Sequence, residues 1–299
     1  MLVPALALLL VAQTLAPLQS KLDAICAGFH GRIGYDLKIL PTGEEIGSHE
    51  NDRFPTASTI KTGVMVAVLQ EIDEGKLKFT DQHALPSPDN REASMWSYFL
   101  KEDVKPDVDG WVNLMITVSD NTATICLRDW LGTVEINRRL EALGLKDTKI
   151  LGNAPALAEL HTIYGMGMTT PREMNRLFEM INAGKAASPA ACDKMIRILS
   201  HNYWDDGIPS SVPPSVKVAN KPGAVNRSKS EAAIVYCSKP YILTVYTADQ
   251  QDQRWVPDNE GNMAIRRIAA EVWKYLNPKQ PYSLPPGYRD KFDPTGGGV

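Results

Sequence analysis

The sequence predicts an α/β (α+β) fold in which one antiparallel sheet is built from both ends of the chain, is flanked by helices and has an all-α lobe inserted between its strands. Two observations predict it. Segments with strand composition lie toward both ends of the chain, and the long middle section has helical periodicity. The length of 299 residues allows one large domain or two closely packed lobes.

The strand-like segments are rich in Val, Ile and Tyr or alternate between apolar and polar residues. Pro41-Thr42-Gly43 is a turn signal between the first two segments and indicates a hairpin. The predicted strands cover residues 32–40, 44–49, 216–219, 232–236 and 242–247.

Helical patterns begin near Ser58 and continue to about Ser200. Thr170 followed by Pro171 is typical of a helix start, since Thr caps the helix and Pro suits its first position. A short helix over 21–27 and a final helix over 263–276 flank the sheet. The predicted organisation is a signal peptide (1–20), an α/β lobe (21–57 plus 201–277), an all-α lobe (58–200) and a flexible tail (278–299).

The first sixteen residues are almost wholly apolar, which predicts a secretory signal because the run is short for a membrane span. Ala12, Ala16 and Ser20 are candidate small residues near a cleavage site, and an uncleaved anchor is the alternative. We therefore expect a secreted or periplasmic protein without stable membrane insertion. A net charge of −3, with no block of Lys or Arg, argues against a nucleic-acid partner.

The four cysteines and five histidines show no metal-ligand spacing, so no cofactor or metal is predicted. The cysteines are Cys26, Cys126, Cys192 and Cys237. Whether they form disulfides is left open, because export would permit bridging but a chain of this length does not need it.

The first motif is Ser58-Thr59-Ile60-Lys61 at a predicted helix start. Residues three apart share a helix face, so the Lys61 amine can approach the Ser58 hydroxyl. A serine becomes a good nucleophile when a neighbouring base takes its proton, and lysine serves as that base when burial or nearby cations favour its neutral form. Alone, the motif favours a simpler interpretation, a capping serine and a solvated lysine.

Two further motifs follow. Ser119-Asp120-Asn121 comes after an apolar stretch, and Lys221-Pro222-Gly223 follows the strand-like segment 216–219. Each alone also fits a structural role, the first as a helix cap and the second as a strand that ends in a turn.

Together, in this order and in these settings, the three motifs resemble class A β-lactamases and the penicillin-binding serine hydrolases over about residues 22–276. The resemblance implies that Ser58 is the nucleophile, Lys61 its activating base, and Ser119 and Lys221 members of the proton relay that also bind the substrate carboxylate. It further implies that Asn121 and Gly223 line the cleft. The N–H groups of Ser58 and Ala224 would form the oxyanion hole.

Two positions depart from the class A pattern. A glutamate that activates the deacylating water is expected ahead of the Thr169-Thr170-Pro171 segment, but Pro155 or Leu157 occupies that place and neither accepts a proton. Glu159 is the only nearby carboxylate and is a candidate base, although a solvated loop carboxylate is the alternative. Pro222 replaces the usual Thr or Ser and offers neither hydroxyl nor N–H; Arg227 is a candidate replacement contact.

The sequence thus predicts a monomeric serine hydrolase that forms an acyl-enzyme at Ser58 with a β-lactam or related small amide or ester, and that deacylates slowly. A D-alanyl-D-alanine peptidase or other cell-wall serine peptidase is one alternative. A β-lactam-binding or peptidoglycan-binding module without turnover is another.

Overall fold

A computed structural model of the chain describes residues 14–86, 96–101, 103–152 and 154–283. The strands are β1 (Arg32–Ile39), β2 (Glu45–Ser48), β3 (Phe54–Pro55), β4 (Lys149–Ile150), β5 (Gly167–Thr169), β6 (Lys217–Val225), β7 (Ser228–Tyr236) and β8 (Tyr241–Ala248). The helices are α1 (Ala16–Ala27), α2 (Lys61–Asp73), α3 (Val108–Thr117), α4 (Asn121–Leu131), α5 (Thr133–Ala142), α6 (Ala158–Tyr164), α7 (Pro171–Asn182), α8 (Pro189–Leu199) and α9 (Glu260–Leu276).

Five strands form one antiparallel sheet in the order β2-β1-β8-β7-β6. Strands β1 and β8, which come first and last along the chain, are neighbours in this sheet: Arg32 pairs with Ala248 and Ile39 with Tyr241. This confirms the prediction of an antiparallel sheet that is built from both ends of the chain and flanked by helices.

The two faces of this sheet pack against different helices. Ala232, Ile234 and Ile242 belong to the core that contains helix α2 and the other helices of the middle section. Ala233 and Val235, which alternate with them, belong to the core shared with α1 and α9. The molecule therefore has three layers, with helices on both sides of the sheet.

Three features differ from the predictions. Helix α1 begins at Ala16 instead of residue 21, and it buries Leu18, so residues 16–20 are part of the folded domain. Most of the predicted leader, residues 1–13, lies outside the described residues, as does most of the predicted tail. The section predicted as all-helical contains β4 and β5, which form a small sheet with β3 in the order β3-β5-β4. Strand β6 is longer than predicted and includes the Lys221-Pro222-Gly223 motif.

Within the described part of the chain, none of the helices combines the length and apolar character that crossing a bilayer requires. All four cysteines are free thiols in the structure.

Candidate active site

Ser58 lies in a tight turn that leads directly into helix α2. The turn is a 3₁₀ segment, Ala57–Ile60, and the α-helix begins at Lys61, three residues after the predicted start. Ser58 is half-buried, whereas both of its neighbours are buried. Ala57 has a φ of +44°, a conformation that non-glycine residues rarely adopt and that often occurs at functional sites. The turn thus presents one serine at the surface of an otherwise closed segment.

Lys61 is fully buried beneath this turn and points toward the second motif. Its Nζ donates to the carbonyl oxygen of Ser119 at 2.6 Å, to Ser119 Oγ at 3.2 Å and to Asn121 Oδ1 at 2.6 Å. Burying an amine is costly unless polar partners surround it, and these contacts supply such partners. The first and second motifs therefore meet at the Lys61 amine.

The second motif forms the turn between α3 and α4, and its three residues have different structural roles. Asp120 is the helix cap: Oδ1 accepts from the Ala123 N–H at 2.9 Å, and its carboxylate also accepts two hydrogen bonds from Ser97. Ser119 has a φ of +60°, which turns its side chain toward the lysines. The capping interpretation is thus correct for Asp120, while Ser119 and Asn121 face the candidate site.

The third motif brings a second lysine to the same hydroxyl. Lys221 is fully buried, and its Nζ donates to Ser119 Oγ at 3.0 Å and to the carbonyl oxygen of Pro222 at 3.0 Å. Ser119 Oγ therefore lies within hydrogen-bond distance of both lysine amines. A hydroxyl can accept from one amine and donate to another when that amine is neutral, so this arrangement is able to pass a proton.

Strand β6 approaches the Ser58 turn very closely at Gly223. A Cβ added to Gly223 would lie 2.6 Å from the Thr56 carbonyl oxygen and 2.8 Å from the Ser58 nitrogen. Ser230 Oγ, on the neighbouring strand, donates to the same Thr56 oxygen at 2.9 Å. Ala224 follows on the exposed edge of the sheet. The absence of a side chain at residue 223 thus allows the edge of β6 to lie beside the Ser58 backbone.

The charge of Lys221 is adjusted by its surroundings. Burial lowers its pKa well below the ordinary value, and the nearby Lys61 cation lowers it further, while Glu231 acts in the opposite direction. Because the Lys61 and Lys221 amines both lie close to the Ser119 hydroxyl, repulsion between them disfavours a positive charge on both at once. This favours a neutral amine at the site, which a general base requires.

Comparison with known proteins identifies the family. The model of the β-lactamase enzyme family matches residues 17–276. The chain belongs to this family.

Among curated β-lactamases, the chain is 24% identical to BRO-1 of Moraxella catarrhalis over 272 residues, which cover 87% of this chain and 85% of that protein. It is 25% identical to PSE-4 of Pseudomonas aeruginosa, with 85% and 88% covered. A β-lactamase structure from Xanthomonas campestris matches with a TM-score of 0.76 and 26% identity over 86% of this chain and 96% of that one. PBP-A matches with a TM-score of 0.77 and 24% identity over 89% and 98%.

The candidate deacylation region differs from the motif residues, because its polar side chains face solvent. Glu159 and His161 are exposed on α6, and Pro155 is exposed in the short turn before it. Leu157 is half-buried. Neither Pro155 nor Leu157 can accept a proton. Arg227 is exposed, and it forms a surface ion pair with Asp249 at 3.5 Å.

One residue near the site is absent from the sequence predictions. Glu231, in the middle of β7, is only 1% exposed and affects the charge of Lys221. The only signal in the sequence is a glutamate inside a segment of small and β-branched residues, Ser230 to Val235, where a charged side chain is unusual.

Proposed function

We propose that this member of the β-lactamase enzyme family is a serine hydrolase that forms an acyl-enzyme through Ser58 with a β-lactam or a related small amide or ester, and that releases the acyl group slowly. The observation that supports acylation most strongly is the position of Ser119 Oγ, 3.2 Å from Lys61 Nζ and 3.0 Å from Lys221 Nζ. A hydroxyl between two buried amines is suited to proton transfer.

Acylation would begin when Lys61 takes the proton of Ser58 and the Ser58 oxygen attacks the carbonyl carbon of the substrate. The N–H groups of Ser58 and Ala224 would stabilise the oxyanion, since the close approach at Gly223 brings these two chain segments together. Ser119 would then pass a proton from Lys61 to the leaving nitrogen or oxygen, which completes the bond cleavage.

Substrate binding would depend on Lys221, whose buried amine lies beside the cleft and whose cationic form would pair with a substrate carboxylate. Pro222 cannot add the hydroxyl that the family usually places next to this lysine. The lost hydrogen bond is worth about 0.5–1.5 kcal/mol, so we expect weaker binding of carboxylate-bearing substrates. Asn121 would contact the amide of the substrate. The expected substrate is a small molecule, and the expected protein is a monomer that is exported.

Slow deacylation follows from the region around α6. Activation of an attacking water by a positioned base contributes about 10²–10⁴-fold to a rate. Pro155 and Leu157 cannot provide it, and the Glu159 side chain is exposed on α6. A D-alanyl-D-alanine peptidase uses the same acylation chemistry, and the same observation favours it as the second candidate, because slow reaction with penicillins is compatible with a peptidase.

The test is a time course of intact mass after addition of a fluorescent penicillin. We expect an adduct that persists in the parent, that is absent in Ser58→Ala, and that decays equally slowly in Glu159→Gln. Glu141→Gln, another exposed glutamate on a helix, is the matched control.

The outcomes separate the alternatives. No adduct in the parent would contradict a penicillin-reactive enzyme, and labelling that survives in Ser58→Ala would contradict the nucleophile. Rapid turnover in the parent would contradict slow deacylation. If Glu159→Gln then traps the adduct, Glu159 is the base.

A further inference from the structure

Glu231 is a buried carboxylate directly behind the candidate site. It pairs with Pro222 across β6 and β7, so its side chain lies on the face of the sheet that packs against α9. Lys221, one position earlier on β6, pairs with Ala232 and faces the opposite side, toward Ser119. The carboxylate and the lysine amine are therefore on adjacent strands but on opposite faces of the sheet.

The pocket around Glu231 is built for a carboxylate. Oε2 accepts from the Ile208 N–H at 2.7 Å, and Oε1 accepts from Asn220 Nδ2 at 2.7 Å. Gly207 leaves the space that the group occupies, since a Cβ there would lie 1.9 Å from Oε2. Both oxygens thus have a donor, and the backbone fits closely around them.

Asn220 connects this pocket to the neighbouring segment 202–208, which we call the strap. Its Nδ2 also donates to the Trp204 carbonyl oxygen at 3.3 Å, and its own carbonyl oxygen accepts from Asn202 Nδ2 at 3.2 Å. Asn220 directly precedes Lys221 in β6. The Glu231 carboxylate therefore helps to fix the backbone of β6 next to Lys221.

The other side of the strap holds the end of α3, just before Ser119. Asn202 Nδ2 donates to the Ile116 carbonyl oxygen at 3.2 Å, Tyr203 N–H donates to the Thr117 carbonyl oxygen at 2.7 Å, and Trp204 Nε1 donates to the Val118 carbonyl oxygen at 3.1 Å. Both partners of the Lys221–Ser119 contact are thus tied to one segment that Glu231 anchors.

The protonation state of Glu231 and that of Lys221 influence each other. Burial raises the pKa of Glu231 to about 7, the hydrogen bonds from Ile208 and Asn220 oppose that rise, and Asp206 and Lys221 make smaller contributions that raise and lower the pKa, respectively. On α9, the charged side chain of Arg266 lies beside Asp206, with Nη2 3.9 Å from Oδ2. Burial lowers the pKa of Lys229, on the same strand, to about 8, while Asp252 and Asp206 raise it. Ionised Glu231 in turn favours the cationic form of Lys221.

We propose that Glu231 is a positioning residue for acyl transfer: its carboxylate, held behind the sheet, keeps β6 and the Ser119 turn at a fixed separation through the strap and favours a positive charge on Lys221, so that the site binds substrates with a carboxylate. This inference rests on the proposed function, and it adds that selectivity for anionic substrates depends on a residue that never touches them.

The kinetic test compares Glu231→Gln with the parent for acylation by a penicillin and by the methyl ester of the same penicillin, across a range of pH. Without the carboxylate, Lys221 loses its proton at lower pH. We expect the alkaline limb for the acid substrate to move to lower pH, so that its acylation on that limb becomes slower than in the parent. We expect little change for the neutral ester.

Two control variants separate the effect of the Glu231 charge from a general structural effect. Ser211→Ala removes a buried hydroxyl on the same face, which donates to the Arg266 carbonyl oxygen, and should leave both profiles unchanged. Glu231→Asp retains the charge and should restore most of the alkaline limb. Equal losses for the acid and the ester, or an unshifted limb in Glu231→Gln, would overturn the assignment.

A second measurement needs neither a Glu231 variant nor a substrate. The ¹³Cε resonance of Lys221, assigned by its loss in Lys221→Arg, should show an inflection near pH 7 in the parent as Glu231 ionises. A flat resonance through that range would overturn the inference. If instead the inflection is present but penicillin gives no adduct, the proposed function fails while the coupling stands.

Discussion

Gly223→Ala is the substitution that tests most directly how the sheet edge completes the site. The added methyl group would meet the Thr56 carbonyl oxygen at 2.6 Å, Ser230 Oγ at 2.7 Å and the Ser58 nitrogen at 2.8 Å. Two of these three atoms belong to the backbone and cannot rotate away. The strand must therefore move away from the Ser58 turn.

The size of that movement follows from the contacts. Ordinary van der Waals contact with a Cβ begins at 3.4 Å, so the edge of β6 must shift by about 0.6–0.8 Å. The shift separates the Ser58 and Ala224 N–H groups that we propose as the oxyanion hole. Loss of one such donor costs about 10²–10³-fold in rate, which is the decrease in acylation we expect. Overpacking of this kind also destabilises by about 1–3 kcal/mol.

The assay is stopped-flow acylation by a fluorescent penicillin, with thermal unfolding measured in parallel to separate the two effects. Gly28→Ala is the control, because a Cβ at Gly28 meets only carbonyl oxygens at 3.7 Å and 3.8 Å, in ordinary contact and far from Ser58 in the chain. If folded Gly223→Ala acylates within a factor of about three of the parent, the close approach of β6 does not form the oxyanion hole as we propose.

Two other predictions follow. Lys61→Arg keeps the positive charge but cannot readily lose a proton, so acylation should slow by orders of magnitude, whereas Lys185→Arg on the surface should not; a rate near the parent's would exclude Lys61 as the base. Burial raises the pKa of Asp36, Glu45 raises it further, and Arg172 opposes them. Between about pH 4 and pH 7 the native state therefore binds more protons than the unfolded chain, so stability should fall as pH rises through this window. Asp36→Asn should flatten the dependence of Tm on pH over the same window. An unchanged pH slope would refute this.

The sequence predicted the parts of the fold that depend on local patterns. Helix α7 begins where Thr170 and Pro171 indicated, since the Thr170 side chain accepts from the Glu173 N–H. The alternation of β1 and β2 and the Val, Ile and Tyr content of β7 and β8 were visible for the same reason. Strands β3, β4 and β5 contain only two or three residues, too few to show any period, and the small sheet was therefore missed.

Some residues of the candidate site could likewise be predicted from local sequence patterns, and others could not. Ser58, Lys61, Ser119 and Lys221 were identified because they belong to short motifs whose order is informative. Glu231 and the strap were not, because their importance comes from contacts between segments that are distant in sequence, such as Asn202 with Ile116 and Asn220. No local pattern encodes such contacts.

The pairing of β1 with β8 has a consequence for how the chain reaches its native state. Arg32 and Ala248 are partners although 216 positions separate them, and the whole helical middle section lies between them. Folding rates fall as contacts become less local, since the entropy of closing the intervening loop precedes any gain from pairing. The central strand of the sheet arises from residues made late in synthesis. A nascent chain thus contains the Ser58 segment long before the sheet that supports it can form. The reactivity toward penicillin that we propose should therefore appear in one late step of folding rather than gradually.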